Sequence, residues 1–117
     1  MCHVLIIEDE PLVAMDLEAL LKQEGATSFA FAASQDEAVD QALARKPALI
    51  TSDVSLVEGT GPLAVSIILN TIGLVPVIFI TATPQACEPC KPGCAILPKP
   101  FDRAAIARAF HHLLPSV

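Results

Sequence analysis

The sequence predicts an α/β fold built on an open parallel sheet, and three observations carry the prediction. Short continuous apolar runs alternate with stretches of helical periodicity. The hydrophobic fraction is 53% and the charged fraction 17%, which suits strands buried on both faces. At 117 residues the chain has the size of one domain with a single core, and 1–117 is read as one unit.

The elements follow in order. His3-Val4-Leu5-Ile6-Ile7 reads as the first strand and runs into Glu8-Asp9. Pro11 suits the first turn of a helix, with Val13, Leu17, Leu20 and Leu21 on one face and Gly25 as its stop. Thr27 to Ala32 is a second strand, rich in Phe and Ala. Ser34-Gln35-Asp36-Glu37 has capping-box spacing and opens a helix whose inner face is Val39, Ala42 and Leu43. After Pro47, the run Ala48 to Ser52 is a third strand that stops on Asp53. A loop with Gly59 and Gly61 leads to a helix with Ala64, Ile67, Ile68 and Ile72 on one face, ending near Gly73. Val75 to Ile80 is the fourth strand and meets Thr81; Ala95 to Pro98 is the fifth and meets Lys99. Asp102 caps a last helix that buries Ile106, Ala109, Phe110 and Leu113. Between Thr83 and Gly93, Pro84, Pro89 and Pro92 argue against a regular helix and for a loop or short 3₁₀ piece.

Charge and patterning exclude several classes. A net charge of −6, without a Lys/Arg cluster, disfavours nucleic acid as direct partner and suits a cation. The apolar start lacks a basic flank and a cleavage site, so no signal peptide is read. No charge falls between Glu58 and Glu88, but Asn70, Gly73 and Pro76 interrupt that stretch, whose halves have different periods. It reads as a buried helix followed by a buried strand, not a membrane span. A cytoplasmic location is expected.

Four of the five strands thus end on chemically capable residues: Glu8 and Asp9, Asp53, Thr81, and Lys99. In a parallel sheet those ends share one rim, where ligands bind. Each residue has an ordinary explanation. Acids favour helix N-termini, Asp53 suits an Asx-turn, Thr81 a cap, and Lys99 the surface. Stability does not require all of them on one edge. Together they can hold a divalent cation and a phosphoryl group, with an Asp able to act as nucleophile.

Ile6-Ile7-Glu8-Asp9-Glu10-Pro11, Asp53 with Gly61 eight residues on, Thr81-Ala82 and Lys99-Pro100-Phe101 resemble the receiver domain of two-component response regulators. The likeness spans essentially the whole chain, in order. It implies a flavodoxin-like (CheY-like) doubly wound sheet of order 2-1-3-4-5 with five helices, the fourth here short or missing. It implies that Asp53 accepts a phosphoryl group from a phosphohistidine on a sensor histidine kinase or histidine phosphotransfer protein. Asp9 and Asp53, with the carbonyl of Ser55, would bind Mg²⁺, and Glu8 would act directly or through water. Thr81 would hydrogen-bond the phosphoryl group and Lys99 would pair with it. The Lys99-Pro100 bond is often cis in such domains. Ser55 and Thr83 stand where the family tunes phosphoryl lifetime.

Three positions depart from the family pattern. Ile96 replaces the aromatic switch residue three before the lysine, and Phe101 is no obvious substitute. Val57 replaces a proline, and the Pro/Cys-rich segment replaces the fourth helix. Phosphorylation chemistry is expected to survive, with an altered means of signalling.

Cys87, Cys90 and Cys94 have spacing that can hold zinc or form a redox pair. A structural zinc site wants four ligands, however, and Cys2 and His3 begin a strand two strands away from the fifth. Reduced thiols are the simpler reading. His111 and His112 are most simply partners of the helix dipole.

The expectation is a stand-alone, phosphorylatable receiver, not an enzyme, which signals to a downstream protein target. The rival is a degenerate receiver that responds to thiol oxidation or zinc without phosphorylation. A flavodoxin-like cofactor carrier is disfavoured, because no Gly-rich loop follows the first strand and Glu8 and Asp9 would repel a cofactor phosphate.

Overall fold

The computed structural model describes residues 2–53, 61–81 and 94–115. In chain order the elements are β1 (His3–Ile7), α1 (Pro11–Glu24), β2 (Ser28–Ala32), α2 (Gln35–Ala44), β3 (Leu49–Asp53), α3 (Gly61–Ile72), β4 (Val77–Thr81), β5 (Cys94–Pro98) and α4 (Arg103–Leu113). The strands form one parallel sheet of order β2-β1-β3-β4-β5, the expected doubly wound order. The segment between β4 and β5, where the fourth of the family's five helices was expected to be short or missing, lies outside the described residues.

Alternation along each strand sorts the core into two layers. Val4 and Ile6 of β1 join Ile78 and Ile80 of β4 beneath Leu17 and Leu21 of α1 and Ile106 and Phe110 of α4. Leu5 and Ile7 face the other way, under Ala38 and Ala42 of α2 and Ala64, Val65 and Ile68 of α3. Helices cover both faces, which is why β1 is buried along its whole length. Burying a side chain such as Phe110 contributes roughly 1.5–3 kcal/mol.

Local signals set the ends. Ser34 Oγ accepts from Glu37 N at 3.2 Å, and Glu37 Oε1 accepts from Ala33 N at 3.1 Å, a capping box displaced by one backbone group. Asp102 Oδ1 accepts from Ala105 N at 2.8 Å and starts α4. Gly25 stops α1 at φ 124°, a region that L side chains avoid. The Lys99–Pro100 peptide is cis.

Some boundaries and faces differ from expectation. The fourth strand begins at Val77 rather than Val75: Pro76 has no N–H to donate and enters only through its carbonyl, which accepts from Ile50 N at 3.0 Å. In α2 the buried pair is Ala38 and Ala42, and Leu43 is 54% exposed. Two alanines one turn apart let the helix lie close to the sheet, and Leu43 falls about 100° round from that stripe. In α3, Val65 is buried and Ile67 only half-buried, a smaller rotation of the same kind. No helix among the described residues is long and apolar enough to cross a membrane.

Candidate functional site

Sheet register brings the strand ends together. Ile7 is level with Ser52, so Glu8, the next residue, stands beside Asp53. Asp53 is paired with Ile80, which puts Thr81 one step beyond it, and Thr81 pairs with Pro98, next to Lys99. Glu8, Asp53, Thr81 and Lys99 therefore share the carboxyl rim of β1, β3, β4 and β5.

Lys99 closes the group. Its Nζ lies 3.1 Å from Asp53 Oδ2 and 3.2 Å from Glu8 Oε1. Its backbone N–H donates to the Thr81 carbonyl at 2.8 Å, which fixes the lysine against the end of β4. Thr81 is buried. The Glu8 side chain is 1% exposed and that of Asp53 11%, so both acids are substantially desolvated. Burial pushes the Glu8 carboxyl up to about 7; the Asp53 charge adds to this, while the Glu10 N–H at 3.1 Å and Lys99 oppose it. Burial pulls the Lys99 ammonium down, but its bonds to Asp53 and Glu8 outweigh that and hold it above its ordinary value.

One carboxylate oxygen each from Glu8, Asp9 and Glu10 lies within 4.8 Å of the other two. Oxygens opposite one another around Mg²⁺ are about 4 Å apart, so small side-chain rotations suffice for this all-oxygen set to grip a hard cation. Glu10 was not singled out as a ligand, because consecutive acids before a helix read as dipole partners. Its side chain makes no cap hydrogen bond, however. Asp53 stands beside the trio, tied to Glu8 through the shared ammonium. Of the expected site residues, Ser55 lies outside the described residues, as do Val57 and Thr83.

The other sequence features separate from this rim. Ile96 is half-buried in β5. Cys2 is a buried free thiol at the opposite end of β1. Cys87 and Cys90, and the side chain of Cys94, lie outside the described residues. His3 is buried, its Nδ1 2.8 Å from Ser28 Oγ. His111 does more than face a helix dipole: its Nε2 lies 2.8 Å from Glu24 Oε1, linking α4 to α1 beside an Arg103–Gln23 hydrogen bond.

The family model described as "Response regulator receiver domain" matches residues 4–111. The phyllosphere-induced regulator PhyR of Methylorubrum extorquens is 42% identical over 117 residues, an alignment covering 96% of this chain and 43% of PhyR. The solution structure of the Erythrobacter litoralis PhyR response regulator REC domain superposes with a TM-score of 0.85 at 35% identity, covering 98% of this chain and 91% of that one. A crystal structure described as anti-anti-sigma factor PhyR from Bartonella quintana gives a TM-score of 0.77 at 36% identity, covering 98% of this chain and 49% of that one. The chain thus spans less than half the length of the PhyR of M. extorquens.

Proposed function

The chain belongs to the family of response regulator receiver domains, and from that premise we propose that it is a phosphorylatable signalling module rather than an enzyme, with Asp53 as the acceptor. The observation that carries this reading is the Lys99 ammonium set 3.1 Å from Asp53 and 3.2 Å from Glu8 at the sheet's carboxyl rim.

The donor is a phosphohistidine on a sensor histidine kinase or a histidine phosphotransfer protein. An Asp53 carboxylate oxygen attacks phosphorus while the phosphorus–nitrogen bond breaks. The imidazole nitrogen leaves with the electron pair and takes a proton from solvent. The product is an acyl phosphate on Asp53. Asp9 and Asp53, with the Ser55 carbonyl and with Glu8 directly or through water, would hold Mg²⁺, which would supply neutralisation of the phosphoryl oxygens. Lys99 pairs with the incoming anion, and Thr81 hydrogen-bonds it. Transfer of this kind needs mainly positioning and charge compensation, and the shared sheet edge with Lys99 supports both.

The output is contact with a protein target. Likeness to a protein described as an anti-anti-sigma factor favours a component of a sigma-factor control circuit among such targets. Acetyl phosphate with Mg²⁺ should add one phosphoryl group, read by intact mass, and Asp53→Asn should abolish it. Unchanged labelling of that variant would remove Asp53 as acceptor.

A further inference from the structure

A second concavity adjoins the phosphoacceptor rim. A groove of about 440 Å³ runs between α1 and the end of β2. Its walls are apolar, with Pro11 and Met15 on one side and Phe31 on the other, over Ala14 and Ala32. Met15 is 61% exposed and Phe31 43%. Single exposed apolar residues are ordinary, but here two from different elements face one hollow. The Phe31 ring stacks beside Phe29, centroids 6.5 Å apart, and Phe29 packs into the core layer under α1. The wall is thereby anchored, whereas Met15 is long and adaptable, suited to gripping varied side chains.

The rim of the groove is of one sign. Glu18, Glu37 and Asp9 line it, Glu8 is buried at its end against Lys99, and no cation is among its lining residues. Apolar walls beside the Glu18, Glu37 and Asp9 carboxylates repel an acidic peptide or a small anion. They also disfavour a second copy of this chain, which would bring two acidic rims together at an overall charge of −6 each. An occupant with apolar side chains along one face and Lys or Arg beside them satisfies both halves of the surface.

We propose that the groove between α1 and β2 docks a basic amphipathic segment of a partner protein, its apolar side chains held between Met15 and Phe31 and its cations facing Glu18 and Glu37. The docking does not require phosphorylation, so it stands or falls separately from the role of Asp53.

The test titrates the unphosphorylated chain with a synthetic amphipathic peptide carrying leucines at helical spacing and lysines elsewhere. A matched peptide has glutamates for the lysines. The Met15 methyl and Phe31 ring resonances are followed by NMR. The lysine peptide should give saturable shifts at both residues and the glutamate peptide none. Met15→Lys and Glu18→Lys, both on the outer surface of α1, should each weaken binding by about tenfold. Unchanged melting temperatures would show that these variants remain folded. The proposal is overturned by no saturation with the lysine peptide, by equal binding of the two peptides, or by shifts centred on β5 and α4. Full affinity in a folded Met15→Lys chain, or peptide-free, concentration-dependent shifts at Met15 that reveal self-association, would overturn it too.

Discussion

Lys99 holds the buried Glu8 carboxylate at 3.2 Å with the same ammonium that pairs with Asp53, so one cation answers two acids that share little solvent. Deleting it should expose their mutual repulsion. Lys99→Met is expected to cost about 2 kcal/mol at neutral pH in metal-free buffer, below the usual penalty for a broken buried pair because Lys99 is partly solvated. Urea midpoints would measure this. Adding Glu8→Gln should recover most of the loss, and a double variant no more stable than Lys99→Met would refute the coupling.

Acidity should act on the two ends of β1 with opposite signs. Glu8, raised from 4.5 to about 7 by burial first, keeps a proton in the folded chain that the unfolded chain releases. Its contribution makes stability fall as pH rises across that window, by at most about 3 kcal/mol. His3 is lowered from 6.5 by burial and then by the Arg45 charge, so the unfolded chain takes the proton more readily. Its contribution makes stability fall as pH drops below that value. Urea midpoints in EDTA should therefore rise with pH in Glu8→Gln and fall with pH in His3→Gln, with the parent flatter than either.

Mg²⁺ should stabilise the fold by mass action, by about 2.7 kcal/mol at a hundredfold excess over its dissociation constant. Asp9→Asn should lose most of that gain while leaving the EDTA midpoint little changed, since Asp9 is only half-buried. Equal Mg²⁺-dependent shifts in the thermal melts of parent and variant would exclude Asp9 as a ligand.

Thr51 has a different problem. It is fully buried at the centre of β3, and its hydroxyl has no hydrogen-bond partner. Thr51→Val keeps the shape and removes the unmet group, so it should raise stability by about 1 kcal/mol. A lower urea midpoint would mean that the hydroxyl finds a partner in solution.

The strands were legible because their signal is nearly binary. A run such as His3 to Ile7 has no other comfortable place, and the residues that end such runs inherit a common edge. Glu8, Asp53, Thr81 and Lys99 are grouped by that edge in the sequence itself. The face of α2 was harder to read, since Ala38 carries less hydrophobic signal than Leu43 yet permits closer approach. The His111–Glu24 contact spans 87 positions and depends on how α4 lies against α1, which no local pattern encodes.

The layer beneath α1 is completed by Ile106 and Phe110, from an element about a hundred residues after the first strand. On the ribosome, Val4, Ile6 and Leu17 would emerge long before their cover exists. At roughly 5–20 residues per second, the nascent chain carries that bare hydrophobic surface for roughly 5 to 20 seconds. During synthesis, therefore, the vulnerable side of this domain is the one waiting for its final helix, and a trigger for aggregation or chaperone capture would act there first.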